Sequence, residues 1–101
     1  MNVFKYINNT FKDTPDLIER KIKYSFSYVY IYYIETICSS ELINNFILKN
    51  LTNPNGLRTF KDILAGPNFK KIELNEIEFY LYNGFTALIY HNKIYVIETK
   101  A

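Results

Sequence analysis

Of the residue types that carry nucleophilic, general-base and metal-ligating chemistry, this chain holds one cysteine, Cys38, and one histidine, His91. Cys38 stands just ahead of the segment SSEL, and a helix starting there would lower its thiol pKa, making it a candidate nucleophile. The competing role is a small core residue. His91 falls in an HN pair between two apolar runs, with no second histidine or cysteine nearby. A general base or metal ligand needs convergent partners, so His91 reads as a solvated turn residue. No GxGxxG, phosphate loop, GxSxG or HExxH occurs, and Gly56, Gly66 and Gly84 all sit at expected turns or helix ends. The expectation is a protein that is not an enzyme, with no catalytic residues, no metal and no cofactor.

Charged and aromatic clusters leave room for binding. Asp13, Asp16, Glu19 and Arg20 form a compact group after the first helical segment, and Glu35 follows a long apolar strand, at the kind of strand end where α/β folds place ligand groups. Asp16, Arg20 and Glu35 are the candidate partner or ligand contacts. Tyr24, Phe26, Tyr28, Tyr30 and Tyr32 share one parity, with Lys21 and Lys23 close by, which suggests one ring-rich sheet face and a base-stacking platform. The sequence lacks the glycine-aromatic pattern of RNA-binding sheets, so a buried role is favoured for those rings. The formal charge of +2 is too small to attract nucleic acid or an anionic membrane by itself.

These residues need a scaffold, and the periodicity supplies one. Val3, Phe4, Ile7 and Phe11 recur at helical spacing over residues 2–12, before Thr14-Pro15. Next comes the strand-like KIKYSF, a bend or short hairpin near Ser25–Ser27, and YVYIYYI over residues 28–34, apolar on both parities as in an interior strand covered on two faces. Ser39 or Ser40 caps a helix whose Leu42, Ile43, Phe46, Ile47 and Leu51 share one side. A second short helix is expected over residues 57–66, between Asn55-Gly56 and Gly66-Pro67. Residues 69–74 alternate like a short exposed strand. Asn75 and Glu78 fit a capping box for a helix that buries Ile77, Leu81 and one of Phe79 or Tyr80, and ends at Asn83-Gly84. FTALIY and KIYVIET flank the His91-Asn92 turn as a terminal hairpin. The sum is one α/β (mixed α+β) domain over residues 1–101, a mixed sheet of about four or five strands with about four helices.

Hydrophobic content of 49% and charged content of 22% fit a folded domain rather than a disordered one. A lone cysteine suits a reducing compartment, the N-terminus lacks the apolar core of a signal peptide, and the longest apolar run is far below the roughly 20 residues that span a bilayer. A cytoplasmic location and no membrane span are expected.

The ordered series FKDTPDLIER, YVYIYYIETICSSELINNFILKNL and NEIEFYLYNGFTALIYHNKIYVIET resembles the N-terminal soluble domain of the A subunit of GerA-family spore germination receptors. That domain shows an aspartate-led DLxxR segment, a strand, a turn and a helix, then a helix-glycine-hairpin. Asp16, Arg20 and Gly84 fall on the matching positions. Glu35-Thr36 departs from the usual Asp-Gly, and Asn92 replaces the usual glycine of the last turn, both at tolerant turn positions. Ala101 precedes the family's GPREGF-like segment, second subdomain and membrane region, so the resemblance implies the first subdomain of a longer protein. It also implies no catalysis, a place on the cytoplasmic side of the spore inner membrane, and a role in receptor assembly or nutrient-signal transduction. The implied partners are the rest of the A subunit and the B and C subunits, with a small nutrient germinant as candidate ligand. The other reading is a free-standing interaction module of inhibitor or immunity type, soluble and cytoplasmic.

Overall fold

The computed structural model describes residues 2–52 and 65–101. Helix α1 (Val3–Thr10) begins where the Asn2 side-chain oxygen accepts from the backbone N–H groups of Phe4 and Lys5, at 3.0 and 3.2 Å. Strands β1 (Leu17–Tyr24) and β2 (Ser27–Ile34) form a hairpin closed by Ser25 and Phe26. The next helical run comprises α2 (Ser40–Ile43), a π-helical turn (Asn44–Leu48) and α3 (Lys49–Thr52). β3 (Lys70–Ile72), a 3-10 turn (Leu74–Glu76), α4 (Ile77–Tyr82), β4 (Phe85–Tyr90) and β5 (Lys93–Glu98) complete it. The short helix expected over residues 57–66 lies largely outside the described residues; Ala65 and Gly66 are in a turn.

The five strands lie in the order β1-β2-β4-β5-β3 and every hydrogen-bonded pair is antiparallel. This corrects the expected mixed sheet. Helices between strands usually signal parallel neighbours, and β3 and β4 do run the same way around α4. β5 inserts between them, however, so the chain makes a split crossover and no parallel pair forms among the described residues.

Both sheet faces are covered, which explains why β2 is apolar on both parities. On one face Ile7 of α1, Phe11 just after it, and Ile77 and Leu81 of α4 pack on Tyr32, Ile34, Ala87, Ile89, Ile94 and Val96. On the other, Ile47 and Leu51 pack on Val29, Ile31, Leu88 and Ile97. Ile43, Ile47 and Leu51 are all buried, a stripe of period four. Such a stripe drifts around a helix of 3.6 residues per turn, and the wider π turn between α2 and α3 takes up the difference.

Ser39 caps α2, its hydroxyl accepting from Leu42 N–H at 3.2 Å. The capping box before α4 is Glu73 with Glu76, not Asn75 with Glu78: the Glu76 carboxylate accepts from Glu73 N–H at 3.0 Å. The chain leaves β3 at Ile72, so the helical turn starts at once, two residues earlier than the side-chain pattern suggests. Tyr80 is half-buried against the core while Phe79 points out, 64% exposed.

His91 and Asn92 both have left-handed backbone, φ 50° and 63°, as a two-residue hairpin loop with the sheet's twist requires. Histidine tolerates this less well than asparagine or glycine. Replacing the pair by Asn-Gly should therefore stabilise the chain by about 1 kcal/mol, read as a higher urea midpoint at unchanged m-value.

Candidate functional site

The three residues singled out as partner contacts do not converge. Asp16 and Glu35 meet at the open end of the first hairpin, where Glu35 N–H donates to the Asp16 carbonyl at 3.0 Å. The Asp16 carboxylate accepts from the Thr36 hydroxyl, so its charge is engaged in fastening the hairpin. Arg20 sits opposite Ile31 in β1, about 13 Å further along the strand at about 3.3 Å per residue. Strand alternation puts it on the sheet face of Ile22, while Glu19 lies on the other. Glu19 instead accepts a hydrogen bond from the buried Tyr32 hydroxyl directly across the ladder. Burial, then that hydrogen bond and the Glu19 charge, push the Tyr32 phenol well above the ordinary tyrosine range.

Cys38 is buried and receives the Thr99 hydroxyl at 3.5 Å, and Thr99 in turn lies 2.7 Å from the hydroxyl of Thr86. The position before α2 is as expected, but the thiol is enclosed in a polar knot rather than presented to a substrate. His91 is exposed, its ring 4.0 Å from that of Tyr90. Among the described residues no group of three or more His, Cys, Asp or Glu side chains is placed to hold a metal, and no helix is long and apolar enough to cross a membrane.

The single ring-rich face inferred from parity divides in two. Tyr24 pairs with Ser27 across a two-residue loop, so even-numbered residues of β1 and β2 fall on opposite faces. Tyr24 joins the layer beneath α3, while Tyr30 and Tyr32 face α1. Phe26 sits in the loop itself, 104% exposed. Lys21 does join the second group: its Nζ is 4.2 Å from the Tyr28 ring centroid and 5.7 Å from that of Tyr30.

Those rings form one wall of a pocket of about 220 Å³ at the hairpin-loop end of the sheet. Phe4 of α1 forms the second wall, its ring 4.4 Å from Tyr30, and Ser27, His91 and Asn92 supply polar groups. Three segments distant in sequence meet here, which is why no local pattern marked the site. A larger hollow of about 610 Å³ borders Asn2, Lys5, Tyr6, Asn8, Asn9 and Lys12 among the described residues, and these six all come from α1 and its two ends. The aromatic pocket has the better form of a binding site, with apolar walls and a few converging polar groups.

Comparison with protein-family models, with curated proteins and with solved structures finds no match to this chain.

Proposed function

We propose that the chain is the first soluble subdomain of a spore germinant receptor A subunit, a non-enzymatic part that serves receptor assembly or the relay of a nutrient signal. What supports the reading is the order of three sequence segments along the chain: the DLIER start of the first hairpin, the strand-turn-helix from Tyr28 to Leu51, and the helix-Gly84-hairpin at the end. No relative found by comparison adds to it, so the collinear series carries it alone. The surface is compatible with partner subunits, because Phe79 and Tyr82 stand exposed one turn apart on α4 and Phe26 stands exposed at the tip of the first hairpin, and exposed apolar patches mark interaction sites. In this reading the rest of the A subunit and the B and C subunits cover them, on the cytoplasmic side of the spore inner membrane.

The deciding experiment is an antibody against this chain applied to fractionated spores and growing cells. A band several times larger than 12.0 kDa in the spore inner membrane is expected. A soluble 12.0 kDa band in growing cells overturns the reading in favour of a free-standing inhibitor or immunity-type module. The purified chain should also self-associate at high concentration, and Phe26→Ser combined with Phe79→Ser should raise the concentration needed by about tenfold. Sedimentation velocity at several loadings measures this, and a wild-type chain that stays monomeric throughout removes the covered-ring argument.

A further inference from the structure

We infer that the pocket beneath the two hairpin loops is a small-ligand site for a planar ring carrying one anionic group. This rests on the pocket's own chemistry and is independent of the receptor reading.

Three features set the ligand class. The apolar walls are mostly rings: Phe4, Tyr28 and Tyr30, with Ile89, bound the cavity, and the Phe4–Tyr30 contact, tilted at 57°, fixes two of the rings against each other. A flat apolar ligand gains contact with such walls that a puckered one of equal volume cannot match. Next, the charge beside the pocket is positive. The Lys21 ammonium rests over Tyr28 and Lys23 pairs directly across from Tyr28 in the ladder, so both lysines lie on the pocket's side of the sheet. Among the described residues no carboxylate lines the cavity, and Glu19, on the same face of β1 as Lys21, is engaged by the Tyr32 hydroxyl. An exposed ammonium held over a tyrosine ring is weakly committed and can turn to a carboxylate or phosphate at the pocket mouth. Finally, Ser27, His91 and Asn92 contribute polar groups to the rim, although the His91 imidazole itself packs on Tyr90, on the other face of the sheet.

Volume sets the size. About 220 Å³ admits one ring with an acidic substituent and little more. Such a small ligand binds weakly, with a dissociation constant on the order of 1 mM. A long single strand of nucleic acid would lay several bases along a platform, whereas this cavity takes a single ring and Phe4 closes one side of it. The observations therefore favour a small molecule over a polymer.

The test is a titration of the isotope-labelled chain with benzoate, followed by backbone amide NMR shifts. Benzyl alcohol controls for charge and cyclohexanecarboxylate for planarity. Saturable shifts at Ser27, Tyr28, Tyr30, His91 and Asn92 are expected with benzoate, and binding at least about fivefold weaker for each control. Lys21→Met should weaken benzoate about tenfold and leave benzyl alcohol unchanged. Tyr28→Leu should weaken both, and the same spectra report that each variant is folded. Phenyl phosphate run in parallel tells whether a phosphate serves better than a carboxylate. Shifts that do not saturate by about 20 mM, that scatter away from the pocket, or that are equal for cyclohexanecarboxylate overturn the assignment. Unaltered benzoate binding by Lys21→Met does so as well. Tight, salt-sensitive binding of an oligothymidylate by a chain that ignores benzoate would replace the small-ligand site with a single-strand interface.

Discussion

Gly84→Ala is expected to destabilise the chain by about 3 kcal/mol, a large part of the roughly 5–15 kcal/mol that holds a domain folded. Two independent effects add. Gly84 has φ 84°, a backbone setting that costs an L-residue about 1–2 kcal/mol. A methyl group there would also lie 2.7 Å from Lys100 Cβ and 3.1 Å from Lys100 Cα, so the chain after β5 must move and not merely a side-chain tip. That chain is tied in place: Thr99 N–H donates to the Gly84 carbonyl at 3.0 Å, and Ser39 N–H donates to the Thr99 carbonyl at 2.8 Å. Displacing Lys100 therefore strains the Thr86–Thr99–Cys38 knot and the start of α2. Urea unfolding at fixed pH measures the loss. Adding Lys100→Gly should recover part of it by removing the Cβ and Cγ collision, leaving the backbone strain. A Gly84→Ala chain within about 0.5 kcal/mol of wild type would show that the close approach of Gly84 and Lys100 does not exist.

The elements most legible in the sequence were those whose signals are local. Helix α1, the two hairpins and the Asn83-Gly84 helix end all follow from residue types within a few positions of each other. Signals shared by two neighbouring sites were less safe, as with the capping box, where Glu73 and Asn75 each stand three residues before a glutamate. Topology was harder still. The insertion of β5 between β3 and β4 is a choice among long-range pairings, and alternating helix and strand patterns do not encode which edge a hairpin joins.

The pocket is hidden in the sequence for a related reason. Parity along one chain does not survive a hairpin: with Tyr24 opposite Ser27, the register exchanges faces, and the tyrosine series divides. Asp16 and Glu35 were recognisable as residues at the ends of neighbouring strands, yet Arg20, four positions on, belongs to the opposite face from Glu19 and takes no part. The pocket draws on Phe4, on Tyr28 and Tyr30, and on His91 and Asn92. Tyr28, Tyr30 and Lys21 stand out in the sequence as a ring-rich strand and His91-Asn92 as a turn, but nothing local joins the two. That the helix carrying Phe4 docks over those tyrosines, next to the last hairpin loop, is fixed by tertiary packing alone.

Tyr32 yields the second large effect, a loss of stability in alkali. Its side chain is fully buried and its hydroxyl donates to Glu19. Burial in the first place, and then the bond to a negative carboxylate, hold the phenol protonated far above its ordinary value of 10.0. Below that pH the folded and unfolded chains both keep the proton, and Tyr32 adds no pH dependence. Above it the unfolded chain gives up the proton while the folded chain retains it, so unfolding gains about 1.4 kcal/mol for each further pH unit. Tyr32→Phe loses the hydrogen bond to a charged partner, worth about 1–2 kcal/mol at neutral pH, and leaves Glu19 free to hydrate because that carboxylate is at the surface. The variant is then the less stable protein at pH 7 and is spared the alkaline loss. The two stability curves should cross near about pH 11. Urea unfolding of both chains between about pH 7 and 11.5 tests this, and the difference between them cancels every other titrating group. A difference that stays constant with pH would mean that Tyr32 ionises as easily in the folded chain as in the unfolded one.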